Sequence, residues 1–204
     1  MDRPGKIVCI GRNYREHAKE MGNEVPAEPL LFLKPPSCVI PSGATIELPA
    51  QAGRVDFEGE VGIVIGARLR KATNEESAAA VRGIVAANDV SAREWQKNDG
   101  QWARAKGSDT FLPLGAESRR PRDLASLIVV TRLNGEEKQR GSTAELAFPI
   151  PVLLSYISRY ITLEPGDVVL TGTPSGVGPL KAGDVVEVEI VGHSTVRNPV
   201  AALN

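Results

Sequence analysis

The sequence predicts a β-rich α+β domain with mixed or mostly antiparallel sheets. Short apolar or alternating runs, bounded by Gly, Pro, Asn and Asp, recur along the whole chain of 204 residues. Helical signals occur in about three stretches, all of them short. Strands therefore outnumber helices and do not alternate regularly with them, which argues against a doubly wound parallel sheet. The length suffices for one sizeable core and is thin for two, so residues 1–204 are expected to form a single domain.

Hydrophobic content of 42% and charged content of 24% are ordinary for a globular domain. Lys+Arg 24 against Asp+Glu 25 leaves a net charge of -1, and no basic tract stands out, which argues against a nucleic-acid partner. No apolar run approaches a membrane span, and no signal-peptide core follows the first residues. The two cysteines, Cys9 and Cys38, match no metal or redox spacing. These features fit a reduced, cytoplasmic setting.

Residues 6–10 read as a first strand, with Cys9 in it as a small buried hydrophobe. Gly11 and Arg12 turn the chain. Asn13 is a good N-cap with Glu16 three residues on, so a helix is predicted over 14–21, ended by Gly22, with Tyr14, Ala18 and Met21 as its apolar stripe. His17 and Glu20 are i, i+3 neighbours that can touch. They read either as an exposed helix pair or as a His base oriented by a carboxylate, and spacing alone favours the first. Leu30, Leu31, Phe32 and Leu33 form a run short enough for a buried strand, stopped by Lys34, Pro35 and Pro36. Residues 38–40 and 45–48 read as further short strands, and 49–54 as a link.

The stretch 56–66 alternates. Phe57, Val61, Ile63 and Ile65 share one parity, and Asp56, Glu58, Glu60, Gly62 and Val64 the other, as expected of a strand with one apolar face. Glu58 and Glu60 then point the same way, about 7 Å apart. Such a pair is commonly a solvated face; alternatively it holds a divalent cation between its charges. Thr73 with Glu76 makes a capping box for a helix that runs through 77–82 and ends at Gly83. Residues 84–87 read as a strand that delivers Asn88 and Asp89 at its exit, where an acid either faces a cleft or caps the next turn.

Residues 91–97 read as one or two helical turns with Arg93 and Gln96 one turn apart. The polar, glycine-punctuated segment 98–108 reads as a loop, and Lys106 within it as a surface lysine. Residues 111–115 look buried without regular structure. A strand over 127–133 precedes Asn134-Gly135, a strong hairpin signal, and a weak partner strand starts at Glu136. Pro149 and Pro151 introduce a helix over 152–161, with Leu153, Leu154, Ile157, Tyr160 and Ile161 on its buried face. A strand over 168–171 leads into Gly172-Thr173-Pro174-Ser175-Gly176-Val177-Gly178, which lacks the Lys-Ser/Thr pair of a phosphate loop. The last strand, 185–191, carries a second Glu-x-Glu, Glu187 and Glu189, expected to face solvent. The motif by itself is therefore cheap.

Gly11-Arg12-Asn13-Tyr14 with His17 and Glu20, Leu31-Phe32-Leu33-Lys34-Pro35, Glu58-Gly59-Glu60, Asn88-Asp89-Val90-Ser91-Ala92-Arg93, Lys106 and Thr171-Gly172-Thr173-Pro174-Ser175-Gly176-Val177-Gly178 occur in this order. Together they resemble the fumarylacetoacetate hydrolase family, closest to its small acylpyruvase and oxaloacetate decarboxylase branch. The resemblance implies a distorted β-roll of mixed sheets, a homodimer, and Mg2+ or Mn2+ held by Glu58, Glu60 and Asp89. It implies a lid helix carrying a catalytic His17-Glu20 dyad with Lys106, and substrate oxygens held by Arg93, Gln96 and Thr173.

The residue chemistry agrees with that implication. Three carboxylates without Cys or His make a hard-oxygen site suited to Mg2+ or Mn2+, and leave positions for a 2-oxo acid. The function expected first is hydrolysis of the C–C bond of acylpyruvates through a metal-stabilised enolate, with oxaloacetate decarboxylation as a companion activity. A second expectation is an isomerase or tautomerase of oxaloacetate or of unsaturated oxo-diacids such as 2-hydroxyhepta-2,4-diene-1,7-dioate. A third is a metal-binding domain without turnover, against which His17, Glu20 and Lys106 weigh.

Overall fold

A computed structural model describes residues 3–20, 22 and 24–203. The chain runs β1 (Ile7–Gly11), α1 (Arg15–Glu20), β2 (Leu30–Lys34), β3 (Val39–Pro41), β4 (Ile46–Pro49), β5 (Val55–Phe57) and β6 (Gly59–Ile65). It continues through α2 (Asn74–Ala79), β7 (Val81–Asn88), β8 (Ser91–Ala92), α3 (Arg93–Asn98), α4 (Ala103–Gly107), β9 (Leu112–Leu114) and β10 (Ser118–Arg119). β11 (Ile128–Leu133), β12 (Glu136–Ser142), α5 (Ile150–Tyr160), β13 (Val168–Leu170), β14 (Gly178–Pro179), β15 (Val185–Ile190) and β16 (Ser194–Leu203) complete it. This is the β-rich α+β class that the sequence predicts. None of the described helices is long and apolar enough to cross a membrane.

The strands form three sheets. An eight-stranded mixed sheet has the order β2-β1-β13-β6-β7-β9-β3, with β10 also on β7. A five-stranded sheet has the order β12-β11-β15-β16-β4, and a small one the order β14-β5-β8. The large sheet is buried on both faces. Val8, Ile10, Val61, Ile63 and Ile65 pack with Leu153, Leu154 and Ile157 of α5 and with Val129 and Val188 of the second sheet. Ile7, Cys9, Val64, Val85 and Leu112 fill the other side. Each fully buried aliphatic side chain contributes about 1.5–3 kcal/mol, so α5 is held by its face rather than by its length.

The alternating stretch departs from its prediction in an informative way. It is two strands in two sheets, β5 and β6, and the chain passes from one to the other at Glu58. Its second face is not solvated either: all of β6 is buried. Periodicity reported the pleat correctly, but sheet stacking covers both sides of it.

Other departures have local causes. Asn13 does not cap α1. Its Nδ2 donates to Thr171 O (2.8 Å) and Phe148 O (3.2 Å), and its Oδ1 accepts from Phe148 N (2.9 Å), so the side chain is committed to tertiary bonds. Met21, expected on the α1 stripe, lies outside the described residues. α2 has the capping box at Thr73 and Glu76 but stops at Ala79, with Ala80 as its right-handed C-cap. Gly83 instead lies inside β7, where a Cβ would come within 2.5 Å of Ser118 O. Its missing side chain serves strand approach, not helix termination.

β2 is half-buried, with Leu33 54% exposed, while Lys34, expected only to stop it, is buried. Tyr160 is 68% exposed and packs edge-on against Tyr156 rather than into the core. Residues 112–114 form β9, paired in parallel with β3. β16, which the sequence did not announce, pairs antiparallel with β15 and parallel with β4. The Asn134-Gly135 hairpin forms as predicted, with both residues at positive φ (54° and 85°).

Candidate active site

Carboxylate oxygens of Glu58, Glu60 and Asp89 lie within 4.8 Å of one another, and all three residues are buried. Backbone bonds bring them together. Glu58 N donates to Asn88 Oδ1 at 3.0 Å, and Asp89 N donates to Glu58 O at 2.8 Å. The junction of β5 and β6 is thereby stapled to the end of β7. Glu60 follows in register opposite Ala87.

Gly59, between the two glutamates, has no room for a side chain: a Cβ would fall 1.9 Å from Thr131 Oγ1. Its N–H donates to Gln139 Oε1 (2.9 Å), and its carbonyl accepts from Thr173 Oγ1 (2.9 Å). Gln139 Nε2 in turn donates to Thr173 Oγ1 at 2.8 Å. Thr173 thus faces the cavity with its hydroxyl proton already committed to the Gly59 backbone carbonyl.

Buried cations surround the acids. Lys106, expected on a surface loop, lies on α4 and is 2% exposed. Its Nζ donates to Glu58 Oε2 (2.6 Å) and Asp89 Oδ2 (2.7 Å), and it stands 5.2 Å above the Phe32 ring. Lys34 Nζ donates to Asp89 Oδ1 at 2.6 Å. Arg93 pairs with Glu58 Oε1 through Nη2 (2.7 Å) and with Asp56 Oδ2 through Nε (2.8 Å), and its Nη1 donates to Gln96 Oε1 (2.9 Å). Arg54 closes the array on Asp56.

Glu60 has no cationic partner among the described residues; Gly172 N donates to its Oε2 at 2.7 Å. The carboxyl groups respond differently. Burial, then Asp89 and Glu58, push Glu60 well above the usual carboxylate range. Glu58 is subject to the same burial, but Lys106, Arg93 and His17 outweigh it and hold it well below that range. Burial pulls the Lys106 ammonium down, but Asp89 and Glu58 overcome it and keep the group protonated.

These residues fit a small hard divalent cation. The donor set is all oxygen, oxygens around one octahedral Mg2+ are about 3–4 Å apart, and Glu60 is a buried acid lacking a counter-charge. Each cation-bound carboxylate oxygen keeps a second lone pair for the ion.

His17 is 8% exposed and lines the same cavity as the carboxylates. Its Nδ1 is 3.2 Å from Glu20 Oε2, and the Glu20 carboxylate accepts from Gly176 N at 3.0 and 3.2 Å. The dyad is therefore an anchored pair joining α1 to the 172–178 loop. The cavity measures about 500 Å³ and includes Arg93, Gln96, Lys106 and Thr173 in its lining. Eight of the nine residues singled out in the sequence thus line one cavity, and the ninth, Glu20, stands behind His17. By contrast, Glu187 and Glu189 lie half-exposed on β15, sharing Arg132 at 3.2 and 2.8 Å.

Sequence reasoning missed Lys34, Asp56, Asn88 and Gln139 as members of the site. Asp56 shares the parity of Glu58 and Glu60, so that signal was present. Lys34 ends an apolar strand, a weaker hint. Gln139 lies on a polar edge strand and gave none.

A family profile described as the C-terminal domain of fumarylacetoacetate (FAA) hydrolase matches residues 6–201. A mitochondrial oxaloacetate tautomerase of Arabidopsis thaliana is 43% identical over 198 residues, covering 94% of this chain and 89% of the relative. A mitochondrial oxaloacetate decarboxylase of Dictyostelium discoideum is 41% identical over 197 residues, covering 93% and 90% respectively. The crystal structure of a 5-carboxymethyl-2-hydroxymuconate delta-isomerase from Mycobacterium smegmatis superposes with a TM-score of 0.92 at 42% identity, over 99% of this chain and 80% of that one.

Proposed function

The chain belongs to the fumarylacetoacetate hydrolase family, and on that premise we propose that it is a divalent-metal-dependent enzyme acting on a small 2-oxo acid through its enolate, with keto–enol tautomerisation of oxaloacetate as its reaction. The observation that carries this reading is the convergence of Glu58, Glu60 and Asp89 with the buried ammonium of Lys106. The relatives that act on oxaloacetate support it.

In this reading Glu58, Glu60 and Asp89 would hold Mg2+ or Mn2+, which supplies Lewis-acid stabilisation of enolate charge when bound. Arg93 and Gln96 hold the substrate's carboxylate and oxo oxygens, while Thr173, whose hydroxyl proton goes to Gly59 O, fixes the Glu58–Glu60 backbone beside them. Lys106 presents fixed positive charge where the oxo oxygen becomes negative, in a site where little solvent screens it. His17 has Nδ1 committed to Glu20, which leaves Nε2 as the proton acceptor of the ring. It takes a proton from C3 of the keto form and returns one to the oxygen of the enolate, so no other atom is gained or lost. Family resemblance extends the reading to a homodimer.

C–C hydrolysis of acylpyruvates is the second reading. The His17-Glu20 pair favours it, because a base with Nδ1 anchored could equally deprotonate a water for attack on the distal carbonyl. A substrate panel tests both readings: enol-oxaloacetate, oxaloacetate decarboxylation, acetylpyruvate and fumarylpyruvate, each with Mg2+ and with chelator. The expected result is that oxaloacetate tautomerisation has the highest kcat/KM and disappears with chelator. Turnover of acylpyruvates alone would move the assignment to the hydrolase, and chelator-insensitive turnover would remove the carboxylate site from it.

A further inference from the structure

Three of the four carboxylates of the inner cavity already have cationic partners, Glu60 being the exception. Asp56, Glu58 and Asp89 are each ion-paired to Arg54, Arg93, Lys106 or Lys34 at 2.6–2.8 Å. Two further cations line the same cavity, Arg12 and Lys97. Neither has a carboxylate partner among the described residues. Arg12 is half-buried, immediately after β1, with φ of 59°, a left-handed conformation uncommon for a residue other than Gly. Lys97 lies on the exposed last turn of α3, one residue after Gln96. The wall that they share with the inner groups is aromatic, Phe32 and Trp102 in edge-to-face contact at 5.3 Å.

A 2-oxo acid has one carboxylate beside its oxo group. Arg93, Gln96 and Lys106 already provide donors for those oxygens, and each Arg93 or Lys106 charge is balanced by an acid. The two uncommitted cations therefore have no role toward that end of the substrate. They suit a second carboxylate, at the far end of a chain running past Phe32 and Trp102. A cavity of about 500 Å³ is ample for a four- or five-carbon diacid.

We propose that Arg12, assisted by Lys97, forms a distal-carboxylate subsite that makes the enzyme selective for 2-oxo dicarboxylates over 2-oxo acids with an uncharged tail. This rests on the reading of the cavity as a 2-oxo acid site and adds the residues that choose among such acids.

The test compares two five-carbon probes that differ at one end, 2-oxoglutarate and 2-oxopentanoate, by calorimetric titration into the Mn2+-loaded protein. A hydrogen-bonded charge pair is worth about tenfold or more in affinity, so 2-oxoglutarate should bind about tenfold tighter to the native chain. Arg12→Gln should bring the ratio close to one by weakening 2-oxoglutarate alone, Arg12→Lys should keep part of it, and Lys97→Gln should lower it by a smaller factor. Near-UV circular dichroism and Mn2+ affinity confirm that each variant keeps its site. Equal binding of the two probes by the native chain overturns the proposal. So does an Arg12→Gln variant that loses both probes equally, or an equal fall in the ratio in Lys181→Gln, an exposed lysine outside the cavity lining that reports general steering. Oxaloacetate turnover is read separately. Absence of turnover with a preserved probe ratio would sink the catalytic reading and leave the subsite, whereas binding of neither probe would sink both.

Discussion

Lys34 donates to Asp89 Oδ1 at 2.6 Å from a side chain with 0% exposure, on the side of the carboxylate opposite Lys106. Asp89 thus lies between two ammonium groups before any metal is considered. The pairing makes Lys34 a structural counter-charge for Asp89, one of the three carboxylates proposed to hold the metal. In Lys34→Met, Asp89 loses one of its two buried partners and keeps Lys106, so the cost falls below the ~3–5 kcal/mol of a fully uncompensated buried charge. A cation at Asp89 replaces part of the lost positive charge. Mn2+ should therefore raise Tm more in the variant than in the native chain; equal increments would show that Lys34 and the metal site are independent.

The two Glu-x-Glu pairs differ in surroundings, not in sequence. Glu58→Gln should abolish Mn2+ binding measured by electron paramagnetic resonance, because it removes one of three charges from the buried cluster. Glu187→Gln, at a half-exposed pair shared with Arg132, should leave it unchanged. Loss of binding in Glu187→Gln would mean that the metal site lies elsewhere.

Glu60 and Glu58 give opposite pH dependences. Burial and then Asp89 and Glu58 raise Glu60 above its unfolded value, so its contribution to stability of the metal-free protein is present below that value and lost as pH rises through the folded one. Glu58 is lowered, so its contribution is present above its unfolded value and lost as pH falls into the acid range. A metal must displace the Glu60 proton, so its affinity rises with pH. The increase of Tm on adding Mn2+ should therefore grow with pH above the ordinary carboxylate range. Glu60→Gln should flatten that growth; an unchanged slope would place the displaced proton on another group.

His17 distinguishes proton transfer within the substrate from activation of water. Loss of a positioned general base costs about 10²–10⁴-fold. His17→Ala is expected to cost that much in acylpyruvate hydrolysis and oxaloacetate tautomerisation, and much less in decarboxylation, where CO2 leaves without a base. Glu20→Gln should follow with a smaller loss of kcat, since Gly176 N still anchors its side chain. Equal losses in all three reactions would place His17 in substrate binding.

Much of the fold was legible locally. The capping box at Thr73 and Glu76 and the Asn134-Gly135 hairpin rest on contacts a few residues apart, and both formed; the helical period of α5 marked Leu153, Leu154 and Ile157 as buried correctly, but not Tyr160. Errors arose where distant chain competes for a group. Asn13 has the chemistry of a cap, but Phe148 and Thr171 take its side chain. Gly83 has the look of a helix end, but Ser118 needs its open face.

The sequence by itself determined which residues are the candidates for the chemistry. Six ordered motifs identified Glu58, Glu60, Asp89, His17, Glu20, Lys106, Arg93, Gln96 and Thr173, and period-2 alternation put Glu58 and Glu60 on one parity. Only the tertiary structure decided what those residues are to each other. It broke the strand at Glu58, clamped that junction to Asn88 and Asp89, and turned Lys106 and Lys34 from presumed surface and strand-end lysines into buried partners of the acids. The reason is physical. A carboxylate's charge state and its capacity for a cation depend on burial and on charges within a few ångströms, and those neighbours come from β2, β7 and α4, which lie tens of residues away along the chain.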